Sequence, residues 1–586
     1  MQFSGINTFQ KIFVRCSLLM LLATVLTGLA CGPSGPAPDT IYHNANVVTV
    51  NSEFALAQAV AIHADTFVAV GDNRSILALA GPETKVVDLD GSTVLPGLIE
   101  AHAHPEKASL SEKDMPLDNP RTVAQCLDWI TRMVKNQPGG EWIIHDKLFA
   151  TRLAELRPPS LTELDSVAPD NPVFLNGSYG GSINSAAMRA SGISGKMDNP
   201  GLLRNPDTGQ LNGQLRFTAF KLLKLPAQPK RTIEERAEAL EIMLDHYNAV
   251  GFTSYTSGGM SLADTLLYQY MQANGMLTAR AFINIYNPVE YMGRDAGDVQ
   301  QDLQAMNVST GHGNKWARIG ALKTMIDGGI LTGTAWLREP WGPKARDLFG
   351  VTDPEYRGIP RMGGQDFYAF ARAGAAEGWK VTSHVTGGAG VDMMLDVFEQ
   401  INEEIPIAPL RCSFIHGNFF DSRAIERSAR LNIIADSQPA WFHKDADAML
   451  HALGPERIKT FHPYKSLMEA GVVVSAGSDH MIIIDDMESI NPYNPWLALW
   501  AMITRKTERG TVIVPEEALS RQQALRCYTI NNAYASFEEE LKGSIEPGKL
   551  ADMIVLDRDY LTCPVDEIKN IQVRRTVVGG GTVFEN

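Results

Sequence analysis

The sequence predicts an α/β fold in which a (β/α)8 barrel is joined to a small sheet domain made from both ends of the chain. Three observations predict it: eight short apolar stretches typical of buried strands, helical patterns between them, and polar residues where the stretches end. Strands that alternate with helices in this way close into a barrel, whose functional residues lie at the carboxyl ends of the strands. An open doubly wound sheet is the alternative, but it does not explain polar residues at so many strand ends.

The composition narrows the class of partner. At 586 residues the chain exceeds one ordinary domain, and its 44% hydrophobic and 20% charged residues are typical of a well-packed globular protein. The formal net charge of −15 argues against a nucleic-acid partner, because phosphate binding needs a concentrated basic surface. We therefore expect no nucleic-acid partner. The candidate site favours a small-molecule substrate instead, and homo-oligomer formation stays open.

Residues 1–30 have the form of a secretory signal peptide. Lys11 and Arg15 precede the apolar run SLLMLLATVLTGLA, which is followed by Cys31. A transmembrane helix is the alternative, but the run is shorter than the ~20 residues that a membrane span needs.

Cys31 and the spacer that follows it, residues 31–39, predict a lipoprotein. Small residues directly before a cysteine resemble a bacterial lipobox, which implies cleavage before Cys31 and lipidation of its thiol. Gly28 departs from this pattern, since leucine is usual at that position, and plain secretion is the alternative. The expected product is exported and contacts the membrane only through its lipid, facing the periplasm or the outside.

The remaining cysteines of the mature chain do not indicate a disulfide framework. Cys126, Cys412, Cys527 and Cys563 are widely spread, and they lack the close C-x-x-C spacing of a zinc-thiolate site. We expect them to behave as ordinary small apolar residues.

The two ends of the chain share one pattern. The alternating stretches IYHNANVVTV (41–50) and AVAIHADTFVAVG (59–71) predict antiparallel strands, and ADMIVLDRD and VRRTVVGGGTVFEN repeat this style near the C-terminus. Because chain termini often lie close together in compact proteins, residues 40–95 and 541–586 are expected to form one domain.

Residues 96–540 between these ends are expected to form the barrel. The first strand ends at His102, and the next seven are expected within residues 251–259, 279–287, 319–329, 379–388, 411–418, 432–440 and 472–480. The stretch from about residue 110 to 240 exceeds what a bare barrel needs. It is predicted to be an inserted subdomain over the barrel mouth, where it would form one side of a substrate pocket.

Polar residues at the ends of five of these strands form the candidate site. In PGLIEAHAHP (96–105), the period-two alternation of a strand places His102 and His104 on the same side, where both could bind one metal ion. The fourth, fifth, sixth and eighth strands carry Lys323, His384, His416 and Asp479. A lone histidine is more often a core residue, and a lone lysine could be a buried salt-bridge partner. Convergence of all six on one barrel face favours function.

These motifs resemble the metal-dependent amidohydrolase superfamily, and within it amidohydrolase family 3, the YtcJ-like proteins. The likeness rests on PGLIEAHAHP, IGALKTMIDGG followed by GTAWL, SHVTGGAGVD, FIHGN, DSQPA, AGSDH, ALRCYTINNAYAS and GSIEPGKLADMIVLDRD. The resemblance implies a TIM barrel beside a small β-sandwich built from both chain ends.

The resemblance also implies a ligand set. His102 and His104 are expected to hold the more buried metal, and His384 and His416 the more exposed one. Lys323 is expected to bridge both ions as a carbamate derived from CO2, because an unmodified ammonium cannot ligate a cation. Zinc is the first expectation, as two ions, and iron or manganese are the alternatives.

The implied chemistry is hydrolysis of a carbon–nitrogen bond in an amide, formamide or other non-peptide N-acyl compound. The resemblance implies that a metal-bound hydroxide would attack the carbonyl and that Asp479 would bind metal, take the proton and return it to the leaving amine. An ester, lactone or carbamate hydrolase on the same metal site is one alternative. A surface-anchored binding lipoprotein with a silent barrel is another.

Two departures from the family concern the substrate side of the site. The fifth strand continues as HVTGG without the acid that the family has there, and Tyr179 lies where a histidine is expected before Asn-Ser. Aromatic and histidine side chains near strand ends are candidates for substrate binding, with packing of the lid as the alternative. They are Tyr179, Trp336, Trp441, Phe442 and His480.

Overall fold

A computed structural model describes residues 36–113 and 115–586. The predicted signal peptide and Cys31 lie outside the described residues. The strands are, in chain order, β1 Thr40–His43, β2 Asn46–Val48, β3 Leu56–Ala57, β4 Ala59–His63, β5 Thr66–Gly71, β6 Lys85–Asp88, β7 Thr93–Pro96, β8 Leu98–Ala103, β9 Ile143–His145, β10 Val173–Asn176, β11 Gly180–Ile183, β12 Leu202–Arg204, β13 Leu211–Arg216, β14 Phe252–Met260, β15 Arg280–Tyr286, β16 Ala317–Met325, β17 Val381–Val385, β18 Ser413–His416, β19 Ile434–Ser437, β20 Val474–Ala476, β21 Met553–Leu556, β22 Val573–Val578 and β23 Gly581–Glu585.

Helices separate most of these strands. Those of the barrel and its connections are Ile233–Ala249, Leu266–Ala273, Ala296–Ala305, Pro343–Phe349, Gly364–Ala376, Gly388–Asn402, Ser422–Leu431, Pro439–Arg457, Tyr464–Glu469, Pro495–Thr504, Arg521–Cys527 and Ile530–Ala535. Shorter or peripheral helices are Asn73–Leu77, Pro105–Ala108, Val123–Asn136, Leu161–Val167 and Ser185–Ser191. Within the described residues, no helix has both the length and the apolar character that crossing a membrane requires.

The predicted barrel is confirmed as a sheet of eight parallel strands. Its order is β8, β14, β15, β16, β17, β18, β19 and β20, which is also the order of these strands along the chain. Backbone hydrogen bonds next to the two edge strands bring the ends of the sheet together. The Asp479 amide donates to the His102 carbonyl oxygen at 2.6 Å, and the His104 amide donates to that of His480 at 2.7 Å. The first and eighth strand ends are therefore neighbours.

The connection from β18 to β19 shows how the sequence sets one repeat. The Asp421 side chain accepts a hydrogen bond from the Ala424 amide and so caps the helix Ser422–Leu431. Asn432 ends that helix in the left-handed conformation, with φ of 54°, which asparagine tolerates better than most residues. The chain then enters β19, all four residues of which are buried. Such burial is typical of a parallel strand covered by helices.

The chain ends form two further sheets. One has the order β5, β4, β1, β6, and the other has the order β23, β22, β21, β7, β2, β3. The antiparallel pair of β7 and β21 joins residues from the two ends of the chain in one sheet. The stretch 41–50 forms two strands, β1 and β2, which are divided at Asn44, whose φ of 54° turns the chain from the first sheet into the second.

A buried ion pair connects these sheets to the barrel. The guanidinium of Arg280, at the start of β15, donates to both carboxylate oxygens of Asp552 at 2.8 and 2.9 Å. Removing one partner of such a buried pair costs about 3–5 kcal/mol, because the other charge is left uncompensated. Nearby, Gly97 is needed between β7 and β8, since a Cβ there would lie 2.2 Å from Thr253 Oγ1.

Between β8 and β14 lies a separate sheet with the order β12, β13, β11, β10, β9. Its strands fall within the stretch predicted as an insertion. Arg152, just after β9, forms a buried two-pronged ion pair with Asp445, at 2.7 Å from Nε to Oδ1 and 2.9 Å from Nη2 to Oδ2. Because Asp445 lies on the helix that follows β19, this pair ties the insertion to the barrel face.

The cysteines agree with the expectation from their spacing. Cys126, Cys412, Cys527 and Cys563 are free, and the first three are buried. Burial raises the pKa of the Cys126 and Cys527 thiols to about 12, so neither is a ready nucleophile or metal ligand.

Candidate active site

A cavity of about 420 Å³ lies between the carboxyl ends of the barrel strands and the insertion. All six residues of the predicted ligand set line this cavity. From the barrel these are His102, His104, Lys323, His384, His416 and Asp479, and from the insertion the cavity receives Lys147, Phe149, Asn176, Gly177, Ser178, Tyr179 and Phe220.

His102, His104 and Asp479 form the tightest group. Asp479 Oδ1 lies 3.5 Å from His102 Nε2 and 3.3 Å from His104 Nε2. The three residues can each offer one ligand atom, and these atoms lie within 4.8 Å of one another. Lys323 Nζ lies 3.2 Å from His102 Nε2. Two imidazoles and a carboxylate at this spacing could hold a metal ion.

His384 and His416 lie beside this group, with their ring centroids 4.6 Å apart. His416 Nδ1 lies 2.7 Å from Gln438 Oε1, an acceptor, so Nδ1 carries the proton and Nε2 is left as a potential ligand. His384 Nε2 lies 3.1 Å from the carbonyl oxygen of Gly328, which by the same reasoning leaves Nδ1 as the potential ligand. The Tyr179 hydroxyl lies 3.3 Å from that Nδ1.

The electrostatics keep the histidines neutral and the aspartate ionised. Burial holds the pKa of His102 and His384 well below the ordinary value and lowers that of His416 to about 4. Burial acts against ionisation of Asp479, but its hydrogen bond with His104 and the charges around it lower the pKa to about 2. Neutral imidazoles and a carboxylate are the protonation states that metal binding needs.

Lys323 is a buried amine on the same wall. Burial lowers its pKa to about 8, although the charges of Asp479 and Asp436 act in the opposite direction. A larger fraction of neutral amine is therefore available near neutral pH than for an exposed lysine.

The sequence model of the amidohydrolase family matches residues 85–584. The chain belongs to the amidohydrolase family. This confirms the resemblance in the sequence motifs, and the match extends from the first sheet domain through the barrel to the last strand.

Named relatives span nearly the whole chain of this amidohydrolase. The N-substituted formamide deformylase of Arthrobacter pascens is 29% identical over 567 residues, covering 93% of this chain and 98% of the relative. YtcJ of Bacillus subtilis (strain 168), which carries the name amidohydrolase, is 25% identical over 568 residues, covering 93% and 99%. A metal-dependent hydrolase from Pyrococcus horikoshii OT3, 20% identical, shares the fold with a TM-score of 0.65 over 90% of this chain and 99% of that chain.

Two of the candidate ligand positions of this amidohydrolase have unusual backbone geometry. His416 and Asp479 have φ values of 79° and 54°, in the left-handed region that non-glycine residues seldom adopt. Gly258 leaves room for a ligand, since a Cβ there would lie 2.6 Å from His104 Cε1. Strained strand ends of this kind cluster at functional sites, where the surrounding packing holds them.

Asp327 supports the site, and the sequence interpretation assigned it no role. Its buried carboxylate accepts hydrogen bonds at 2.8 Å from the amides of Trp336, Thr386 and Gly387. These bonds fix the loop that follows β17, the strand that carries His384. Asp327 Oδ1 lies 4.0 Å from His384 Nε2. Its place in IGALKTMIDGG, four residues after Lys323, was the available signal.

Glu100 is a second residue that sequence reasoning missed. It is fully buried, and its Oε1 accepts hydrogen bonds from the amides of His102 and Ser478, both at 2.8 Å. These bonds connect the first strand of the barrel to the loop that carries Asp479. The available signal was a carboxyl group two residues before His102 in PGLIEAHAHP. That stretch alone does not indicate the partner of this carboxyl group, the Ser478 amide.

The predicted substrate-binding residues divide into two groups. Tyr179 and Trp441 line the cavity, and the Trp441 ring stacks on His416 with centroids 4.7 Å apart. The other three, Trp336, Phe442 and His480, are not among the described residues that line it.

Two of these three have clear structural roles elsewhere. The Phe442 ring packs in the core below the Arg505 guanidinium, at 3.8 Å from the ring centroid. Burial lowers the pKa of His480 to about 4, and its two nitrogens contact the Tyr247 hydroxyl at 3.1 Å and the Ile483 carbonyl oxygen at 2.7 Å. Helix and loop directions after the strand ends carry these side chains away from the cavity.

The histidine rings of the two predicted pairs differ in exposure. The His104 side chain is 26% exposed, whereas the His102 and His384 side chains are 1% and 6% exposed. His104 is thus the most exposed of these three rings, and which pair holds the more buried metal stays a prediction.

Proposed function

We propose that this amidohydrolase cleaves the carbon–nitrogen bond of N-substituted formamides or related non-peptide N-acyl compounds. The observation that carries the proposal is the convergence of four histidines, one lysine and one aspartate on a single barrel cavity. Support for the bond type comes from the relative named as a formamide deformylase, which aligns over 98% of its length.

We further propose zinc as the metal, bound as one or two ions by the six residues named above. Neutral imidazoles and an ionised carboxylate are a donor set that suits zinc, and the protonation states of His102, His416 and Asp479 agree with it. Lys323 would join them after carboxylation of its amine by CO2, a reaction that requires the neutral form. When bound, the metal lowers the pKa of water and polarises a substrate carbonyl.

The side chains of the chain supply the remaining chemistry. Asp479 is ionised and lies among the candidate metal ligands, so it can accept a proton from water and return it to the leaving amine. The Tyr179 hydroxyl lies 3.3 Å from His384 and could donate a hydrogen bond to the carbonyl oxygen of the substrate's acyl group. Phe149, Phe220 and Trp441 give the cavity apolar walls that exclude water from an N-substituent.

The first experiment combines metal analysis with a matched substrate panel. One N-substituent should be presented as its formamide, acetamide, ester and carbamate, together with a lactone of similar size. We expect co-purifying or restorable zinc and the highest kcat/KM for the formamide. Preference for the ester or lactone would move the assignment to that class, and metal-free protein that binds but never turns over would favour a binding role.

Lys323→Ala tests the carbamate. Without the carbamate oxygens the variant should lose most of its activity, and short carboxylic acids should restore part of it by supplying an anionic oxygen donor. Lys459→Ala, at an exposed lysine, is the matched control and should behave as the parent protein. Full activity of Lys323→Ala without additive would remove the carbamate from the proposal.

The proposed location is the outer or periplasmic side of a bacterial membrane, through a lipid on Cys31. What supports it is the order of basic residues, apolar run, small residues and cysteine in residues 11–31. Cys31→Ser should release the protein from the membrane fraction and remove the mass of the lipid, since only a thiol forms the thioether. Unchanged mass and fractionation would exclude lipidation.

A further inference from the structure

Lys147 is a buried cation in the wall of the active-site cavity. It follows β9 in the insertion, and only 9% of its surface is exposed. It lines the same cavity as the candidate metal ligands. Its ammonium donates a hydrogen bond to Ser178 Oγ at 2.5 Å. The amine therefore lies within reach of a molecule held in the cavity.

This cation has no ion pair in the described part of the chain, although the charges of Asp146 and Asp479 act on it from a distance. Among the described residues, none places a carboxylate oxygen within 4.0 Å of Lys147 Nζ. The neighbouring Asp146 is occupied elsewhere, since its carboxylate pairs with Lys107 at 2.6 Å and accepts from Asn176 at 3.2 Å. An ammonium has three donors, and a buried charge without a partner is costly. The observation points to an anionic partner that is supplied by the ligand.

The charges around the cavity favour the same conclusion. The cations of the lining that have no ion pair with a described residue are Lys147 and Arg361, because Lys107 pairs with Asp146 and Lys323 is assigned to a carbamate. Asp479 is the acidic residue of the lining and already contacts His104. The Arg361 guanidinium lies over the Phe217 ring, 5.4 Å from its centroid. Excess positive charge in a concave, partly apolar site attracts anions.

The rest of the cavity is apolar. Phe149, Phe220, Ile330, Leu331 and Met481 line it together with the charged groups. A substrate that matches both features has an apolar side group and a negative charge. Its scissile bond must also reach the candidate metal ligands on the barrel wall. A small N-acyl amino acid with an apolar side chain has these three parts.

We infer that the substrate carries a carboxylate on its N-substituent, as N-formyl and other N-acyl amino acids do, and that Lys147 binds this carboxylate. The inference names the substrate class of the proposed function and therefore rests on it. Lys147 lies on the insertion and the hydrolytic residues lie on the barrel, so substrate choice and bond cleavage are assigned to different walls. The competing role for Lys147 is to hold the turn at Ser178, whose φ is 71°.

A matched pair of probes separates charge from shape. N-formylphenylalanine, tested as both enantiomers, and N-formylphenethylamine differ only in the carboxylate. We expect the parent protein to favour the acid by about 10- to 100-fold in kcat/KM, mostly through KM, the usual worth of a charge-assisted hydrogen bond. Lys147→Met, which keeps the length of the side chain, should reduce this ratio towards one, and Lys147→Arg should retain part of it.

Control variants and a binding measurement keep the result interpretable. Lys196→Met, at an exposed lysine of the insertion, should leave both the ratio and the rates unchanged. Thermal unfolding identifies a variant that fails to fold, and Lys147→Arg then carries the test. If the role of Lys147 is purely structural, Lys147→Met should lower kcat/KM equally for both substrates and leave their ratio unchanged.

Calorimetric titration of both probes distinguishes failure of this inference from failure of the proposed function. If neither probe is hydrolysed, formamide hydrolysis is wrong, and a lower Kd for the acid that depends on Lys147 still supports the carboxylate site. Equal affinity for the two probes, or no binding of either, overturns the inference. Hydrolysis of N-formylphenethylamine as fast as the acid overturns it while leaving the proposed function intact.

Discussion

The two walls of the active-site cavity differ in how their residues are positioned. On the barrel wall, His102, Lys323 and His384 lie in or at the ends of strands that are hydrogen-bonded to parallel neighbours. On the insertion wall, Lys147 and Ser178 lie in connections outside the strands of a smaller sheet. The barrel wall holds the groups suited to metal binding, and the insertion wall holds an unpaired cation and a tyrosine.

This difference indicates how one fold can serve several substrates. Strand ends in a closed barrel have little freedom, so a ligand set spread over five strands keeps its geometry when surface segments change. Loops that are anchored at a few points, such as the Arg152–Asp445 ion pair, can change side chains without disturbing that geometry. Substitutions on the barrel wall should therefore alter the rate for every substrate, and those on the insertion wall should alter the ranking of substrates.

The largest effect is expected from removing two ligands of the barrel wall. The double variant His102→Ala with His104→Ala should lose nearly all bound zinc and all measurable turnover, because two of the three residues in the tightest group are gone. Metal analysis of the folded protein and activity assays check this. His312→Ala, at an exposed histidine, is the control. Normal zinc content in the double variant would exclude this metal site.

Asp479→Asn should separate metal binding from proton transfer on the same wall. Asparagine keeps the size and one oxygen but cannot accept the proton, so turnover should fall by roughly 10²–10⁴-fold while most metal stays bound. Metal content, kcat and thermal unfolding are the measurements, with the exposed Asp485→Asn as control. If Asp479 only caps the strand-to-helix turn, the variant should lose ~1 kcal/mol of stability and keep near-parent turnover.

The pH dependence of substrate preference should report on Lys147 in the insertion wall. Burial lowers its pKa to about 8, Lys107 acts in the same direction, and Asp146 and Asp479 act against them. The lysine is charged below this pKa and neutral above it. The KM for N-formylphenylalanine should therefore rise above pH 8, by up to roughly tenfold per unit, relative to the KM for N-formylphenethylamine. A constant ratio from pH 6 to 10 would contradict a role for this charge.

Tyr179→Phe should have the smallest effect. The change removes only the hydroxyl that lies 3.3 Å from His384 Nδ1 and keeps the ring in the cavity wall. Loss of one neutral hydrogen bond corresponds to a decrease of about 2- to 10-fold in kcat/KM. Tyr270→Phe, on the helix Leu266–Ala273 away from the cavity lining, is the control. A loss of 10³-fold or more would make Tyr179 a catalytic residue.

The sequence interpretation was most successful where one local pattern decides the structure. Each of the seven later strand predictions overlaps an observed barrel strand, because a short buried run bounded by polar or glycine residues has few other stable arrangements. Within the stretch 41–50 the pattern predicted strand structure but not its division between two sheets, since only the pairing partners reveal that Asn44 moves the chain from one sheet to another.

Within the cavity, residue type alone was enough to select the candidate ligands but not their supports or the substrate side. His102, His104, Lys323, His384, His416 and Asp479 were predicted from their positions, and all line one cavity. Asp327 and Glu100 act through backbone amides that include loop residues from other parts of the chain, and amide direction is not encoded in a local motif. Phe442 and His480 were predicted to face substrate, yet the turns after their strands direct them into the core.

By itself the sequence determined the family, the alternation of strands and helices, and the set of residues able to bind metal, because these depend on residue type and spacing. Only the tertiary structure decided which side of the cavity each group occupies and which charges are compensated. Lys147 is an unremarkable lysine in EWIIHDKLFA. Its burial and its lack of a carboxylate partner arise when Lys107, from another segment, occupies Asp146. Compensation of charge depends on distances between segments that only folding brings together.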